Sequence, residues 1–262
     1  MAIFRISASA DNTITNAFEE NLSTRGTGSN MGASSILEVF SIYGQASTDS
    51  LELARTLIQF PIQEFINKRN VEKVLPASGS VEYYLKLYNA PHTDNTPKSY
   101  DLFILPISKT WQEGIGLDMV NYKDLTYEYE GSNWINNASA STWTTEGGDF
   151  LYEQALTASL TTGLEDIEID VSNIVEKWIK GTDGGAYNNY GFGIILSSSL
   201  ELEKKSYYTK KFFSRETEFY YKRPILEARW NDVKKDDRGK FYLSSSVPLI
   251  HFSTILLTSI SI

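Results

Sequence analysis

The sequence predicts an all-β fold, a two-sheet antiparallel β-sandwich with one or two short helices. Three observations carry this. Short apolar segments rich in β-branched and aromatic residues recur along the chain, turn-forming clusters separate them, and only two stretches have helical spacing. The segments are "ILEVFSIY" (36–43), "LARTLIQFP" (53–61), "VEYYLKLYNA" (81–90), "YDLFILPI" (100–107), "IEIDV" (167–171), "GFGIILSS" (191–198) and the stretch after Pro224. Between them lie "STRGTGSN", "GQASTDS", "PASGS", "NAPHTDNTP" and "GTDGGAYNN". Many short strands with few helices bury their apolar faces by packing sheet on sheet.

Each element has its own local reason. In 81–88 the period of two puts Val81, Tyr83, Leu85 and Leu87 on the buried face and Tyr84, Lys86 and Tyr88 opposite. The segment 100–107 is apolar on both faces and reads as a central strand. Pro224 cannot donate a backbone hydrogen bond, so it belongs at the start of a strand. After it Leu226, Ala228 and Trp230 point one way, and Ile225, Glu227 and Arg229 the other. Glu227 and Arg229 then pair with each other or with Arg223 and Glu216. "DVSNIVEKWIKG" predicts a helix over 172–180. Asp170 or Ser172 caps it, Ile174, Val175, Trp178 and Ile179 form its apolar stripe, and Gly181 ends it. "PIQEFINKRN" gives one or two further helical turns.

At 262 residues, with 41% hydrophobic and 13% aromatic content, the chain has enough apolar surface for a core. Residues 1–232 read as one sandwich domain. Residues 233–262 read as a charged linker, "VKKDDRGK", followed by an apolar segment, "VPLIHFSTILLTSISI", the start of a further domain or a truncated end. A net charge of −9 argues against nucleic acid as a partner, since phosphate binding needs clustered cations. With no cysteine, disulfides, thiol nucleophiles and zinc–thiolate sites are excluded. The N-terminus carries no apolar run of signal-peptide type, and no stretch reaches the roughly 18 apolar residues of a membrane span. His92 and His251 are the only histidines, and neither has the setting of a catalytic base. No nucleophile elbow, zinc-protease or P-loop motif is present. The chain reads as a non-enzyme.

The distinctive segment is 107–150, long, rich in Gly and Asn, and carrying Trp111, Trp134 and Trp143. Two readings of these tryptophans stand side by side. Exposed indoles beside Asn133 are candidate sugar-stacking platforms, with amides on the sugar hydroxyls. Alternatively the indoles anchor a long loop to the sandwich. Asp118, Asn121 and Asp124 recur every three residues near glycines and form the candidate oxygen ligands for calcium, the one cofactor considered.

The ordered set "SNMGAS" (29–34), "ARTLIQFP" (54–61), "YYLKLYNA" (83–90), "ISKTWQEG" (107–114), "IEIDVSNIVEKWIKG" (167–181), "NNYGFGIIL" (188–196) and "FFSRETEFYYKRPILEARW" (212–230) resembles DNRLRE-type domains. These are jelly rolls similar to carbohydrate-binding modules. The residues filling the pattern include Asn30, Gly32, Arg55, Phe60, Trp111, Glu113, Trp178, Asn189, Gly191, Ser214, Arg215, Glu216 and Pro224. The variant "WQEGIGLDM", "EGSNWI" and "TWTTEGGDF" is similar to large virion structural proteins of marine tailed phages. The resemblance implies a jelly-roll sandwich and a virion structural or attachment protein, assembled in the host cytoplasm. Its implied partners are other virion proteins and copies of itself, and cell-surface polysaccharide is the accessory ligand. A calcium-assisted carbohydrate-binding module is the alternative. Ser214, Arg215 and Glu216 are expected to tie the closing strand to neighbouring loops. The apolar segment 247–262 is expected to meet a partner surface or to pack on the sandwich itself.

Overall fold

The computed structural model describes residues 1–44, 50–92, 96–117, 119–120, 123–124, 131–181, 188–204 and 207–233. Residues Ala2–Asn231 form one compact unit. Met1 and the chain from Asp232 onward form a second, of which Met1, Asp232 and Val233 are described.

Along the first unit run β1 (Ala2–Ser7), β2 (Ala10–Thr15), β3 (Ile36–Tyr43), β4 (Leu51–Gln59), α1 (Gln63–Asn70), β5 (Val81–Leu87) and β6 (Tyr100–Pro106). Four short strands follow within the long loop: β7 (Met119–Val120), β8 (Lys123–Asp124), β9 (Asn136–Ala138) and β10 (Ser141–Thr142). The chain then forms β11 (Leu156–Leu160), β12 (Ile167–Asp170), α2 (Ser172–Lys180), β13 (Phe192–Leu196), α3 (Ser198–Glu201), β14 (Tyr208–Phe213) and β15 (Ile225–Trp230).

One sheet has the order β1-β15-β5-β12. The other has the order β11-β6-β13-β4-β3-β14, with β2 also paired to β4. All the pairings are antiparallel. The architecture is the all-β sandwich expected. Strand β6 lies between β11 and β13, paired on both edges, as its two apolar faces require. The strands β1, β2, β11 and β14 are additions to the segments read from periodicity.

A single apolar cluster joins the two sheets. Leu85 and Leu87 of β5 and Leu226 and Ala228 of β15 meet Leu102 and Ile104 of β6 and Phe192 and Ile194 of β13. The β5 alternation holds, with Val81, Tyr83, Leu85 and Leu87 buried. Helix α2 adds Ile174, Val175, Trp178 and Ile179, all four residues of its stripe, and the Trp178 ring lies 4.7 Å from that of Phe192. Helix α1 adds Phe65, which stacks edge-on against Tyr83.

The cap of α2 differs in detail from expectation. Asp170 Oδ1 accepts at 2.8 Å from the backbone N–H of Ser172, the first residue of the helix, from two positions upstream. The Ser172 hydroxyl is turned to the sheet, where it accepts from the Tyr83 N–H at 2.8 Å. Gly181 ends the helix with φ +67°, a conformation that costs glycine little.

The closing strand β15 shows the expected alternation, and Glu227 and Arg229 pair with each other as expected while also drawing partners from other strands. Glu227 is buried on the outer face and accepts from Arg5 of β1 and from Arg229 (2.6 Å). Lys86 of β5 stands 3.9 Å away. Arg229 also reaches Glu168 of β12 at 2.6 Å. The expected partners Arg223 and Glu216 are elsewhere: Arg223 donates to the Thr217 carbonyl, and Glu216 pairs with Arg215. Sheet order, which brings β1, β5 and β12 alongside, decides the neighbours.

Candidate functional site

The large sheet is apolar on both faces. Leu57, Leu105 and Ile195 alternate with the sandwich residues Ile58, Ile104 and Ile194, and form a second cluster with Ile14, Trp111, Trp134, Trp143 and Phe150. The described part of the segment 107–150 therefore packs on the outer face of this sheet through its own aromatics. Trp111, Trp134 and Trp143 are 7%, 5% and 5% exposed, so a sugar ring would have to displace protein packing to reach them. The Trp111 indole N–H donates to the Tyr190 carbonyl at 2.8 Å, and that of Trp143 to the Asn133 carbonyl at 2.8 Å. Asn133 is turned inward, its side-chain oxygen accepting from the N–H groups of Ile135 and Asn136 at 2.9 and 2.7 Å. The geometry of all four residues is that of anchors.

Two further locks hold this layer. Arg55 on β4 is buried and donates to both carboxylate oxygens of Glu201 (2.9 and 2.7 Å) and to the Gly147 carbonyl (2.9 Å), with its guanidinium over Trp134. Phe150 fills a notch beside Gly193 of β13, where a β-carbon would overlap the ring.

A polar knot joins residues far apart in sequence. Asn30 donates to the carbonyls of Glu113 and Ser132 at 2.7 Å each, and its side-chain oxygen accepts from Gly32 N–H and Gly116 N–H. Arg215 grips Glu113 through Nε (2.5 Å) and Nη2 (3.0 Å), while its backbone N–H donates to Asp11 Oδ2 at 2.6 Å. Glu113 also accepts from the Asp11 N–H at 2.7 Å. Ser214 donates to the Ser34 carbonyl at 2.6 Å. The segment 214–216 thus ties the closing region to the loops at 34 and 113. Burial, partly offset by the Arg215 N–H and reinforced by the charge of Glu113, pushes the Asp11 carboxyl up to about 8. Its Oδ1 is buried without a hydrogen-bond partner.

Elsewhere a buried lysine does a structural task. Lys210 is fully buried, and its ammonium donates to Asn89 Oδ1 (2.8 Å) and to the carbonyls of Gly163 (3.0 Å) and Glu165 (2.7 Å). His92 Nε2 lies 3.2 Å from the same Gly163 carbonyl. His251, Asp118 and Asn121 lie outside the described residues, as does the side chain of Asp124. Among the described residues no group of three or more His, Asp or Glu is placed to hold a metal ion. No described helix is long and apolar enough to cross a membrane.

Two surface features remain. The turn just before β15 exposes Phe219 (41%), Tyr220 (75%) and Tyr221 (57%) in succession. They are braced rather than loose: Phe219 stacks edge-on against Phe213 and Tyr221, and the Lys222 ammonium sits 4.7 Å over Phe213. Beside the tryptophan layer a cleft of about 440 Å³ is lined by Ser108, Lys109, Thr144, Thr145, Asp149 and the half-exposed Tyr152, among others. Its rim is pinned by Asp149, which accepts from the N–H groups of Thr144 and Thr145 at 2.8 Å each. The cleft was not singled out from sequence, and the turn lies in the closing segment 212–232, which the sequence assigns to sealing the sheet. A run of three aromatics, Phe219–Tyr221, just ahead of a proline-started strand is the signal that could have found the turn.

No protein-family model matches the chain, and no curated protein matches it. Asn30, Gly32, Glu113, Ser214 and Arg215, singled out in the sequence, meet or border one another in the polar knot.

Proposed function

We propose that the chain is a non-catalytic structural or attachment protein of virion type, working through contacts with other particle proteins and with copies of itself. The braced aromatic turn Phe219–Tyr221 carries this reading. Contiguous exposed aromatics on a braced turn mark an interaction surface, and aromatic side chains supply much of the binding energy at protein interfaces. The use of the buried charged groups supports it: Arg55–Glu201, Arg215–Glu113 and Lys210 with its three acceptors hold layers and loops together.

Sedimentation of the wild type and of a Phe219→Ser, Tyr220→Ser, Tyr221→Ser variant tests the proposal. Self-association of the wild type that the variant loses, with the fold intact by circular dichroism, is the expected result. A wild type that stays monomeric at its highest soluble concentration, and that binds no particle protein, would refute it. The Tyr152 cleft favours a second reading, polysaccharide binding, since an aromatic face among hydroxyls and one ion pair suits a sugar. Glycan-array binding lost on Tyr152→Ala would favour that reading.

A further inference from the structure

We propose that the cavity where α1 and α2 end binds a tetrahedral oxyanion, a phosphoryl or sulfuryl group. The cavity has a volume of about 500 Å³, and its lining includes Arg69, Asn70, Lys73 and Lys180 over an apolar floor of Leu75 and Ile179. The protein as a whole carries a net charge of −9, so three cations around one small cavity stand out against the surrounding field. Among the described carboxylates nearby, Glu176 is held by Arg69 through two hydrogen bonds at 2.8 and 2.6 Å, and Glu82 and Asp170 line the neighbouring cleft that Lys180 also borders. The neighbouring Glu72 is turned to Lys68 at 2.5 Å.

The donor set selects the shape of the anion. The two terminal nitrogens of Arg69 are spent on Glu176 and on the Tyr83 hydroxyl (2.8 Å). The planar fork that recognises a carboxylate is therefore already used. What remains on the lining is the Asn70 amide and the ammonium groups of Lys73 and Lys180, which act as point charges. Donors of this kind impose no plane and suit the oxygens of a tetrahedral anion. The helix ends do not oppose it strongly. The Asn67 and Lys68 carbonyls are capped by the N–H groups of residues 71, 72, 74 and 75, and the Trp178 carbonyl by that of Gly181.

The backbone at Lys73 adds an independent observation. Its φ is +58°, the left-handed region that a helix exit ordinarily gives to Gly or Asn. A long cationic residue that lines the cavity takes this conformation against local preference, and strain of this kind collects at ligand sites.

Calorimetric titration at constant ionic strength, with inorganic phosphate, sulfate, acetate, glucose 6-phosphate and glucose, tests the proposal. Phosphate and sulfate are expected to bind with Kd on the order of 1 mM, and acetate and glucose not to bind. Lys73→Gly and Lys180→Gln should each weaken phosphate binding about tenfold, the loss of one charged hydrogen bond. Lys73→Gly should melt no earlier than the wild type, which separates lost binding from lost folding. Lys222→Gln, on the aromatic turn, should bind as the wild type does. Unchanged binding in both cavity variants, equal binding of acetate, or an equal loss in Lys222→Gln would overturn the proposal. Tighter binding of glucose 6-phosphate than of phosphate assigns the site to a phosphate ester, and equal binding assigns it to the free ion. The cavity shares no residue with the aromatic turn, so loss of anion binding and loss of assembly are read separately.

Discussion

Replacing Trp143 by alanine removes the indole that closes the second apolar cluster, and the size of the loss follows from its burial. A tryptophan of this kind removes about 200 Å² from water, worth roughly 5 kcal/mol at about 25 cal/mol per Å². The residue is 5% exposed, so nearly all of this is forfeited. The Asn133 carbonyl also loses the indole N–H as donor. Against this, the segment 131–150 can lift from the sheet and hydrate its freed groups, which caps the cost at about 3–5 kcal/mol. Hydrogen exchange reads where that energy sits. The N–H groups of Ser132, Trp134 and Gly147, bonded to the carbonyls of Gln112, Thr27 and Trp134, report on docking of the layer. Each 1.4 kcal/mol is tenfold in exchange, so a loss of about 4 kcal/mol should speed these amides roughly thousandfold. Amides of β5, inside the sandwich, should change far less. If the three amides exchange as slowly as before, Trp143 is not an anchor. If β5 accelerates by the same factor, the layer and the sandwich unfold as one unit and the two-layer reasoning fails.

Two further outcomes follow from the core and the knot. Trp178→Ala should destabilise by about 3–5 kcal/mol in urea titration, and the exposed Asn173→Ala by far less; equal midpoints would mean α2 is not docked. Asp11 has a folded value raised to about 8 against an ordinary 3.8, so the protonated form is favoured in the fold. Its stability contribution is fully present below about pH 4 and is lost as pH rises through about 8. Asp11→Asn should flatten the fall in stability over that window, and an unchanged pH profile would show that the carboxyl does not titrate there.

The sandwich was legible because its strands carry their own local signals. Alternation in 81–87 and the stripe in 172–180 state which face is buried without any knowledge of the partner. The neighbours were not legible, because sheet order is a property of the whole chain. Glu227 could be placed on a charged face, but nothing local says that β1 brings Arg5 beside it. The strands β1 and β2 escaped notice for a different reason. "AIFRIS" is short and half exposed, and "ADNTIT" hides polar residues, with Asp11, Asn12 and Thr13 all buried in hydrogen-bonded contacts. The tryptophan layer was legible in composition but ambiguous in role, since an anchoring indole and a sugar platform share one sequence signature. The cationic cavity was invisible, because Arg69, Lys73 and Lys180 come together only when the ends of α1 and α2 do.

Phe150 and Gly193 occupy one volume between them, since the ring stands where any side chain at 193 would have to go. Neither position can drift alone during evolution. A lineage that acquires alanine or larger at 193 must first shrink Phe150, and one that keeps the phenylalanine is confined to glycine. The two sites should therefore covary as a pair among homologous sequences, with intermediate combinations purged. A family tree would record the docking of this layer as a correlated exchange between a loop and a strand.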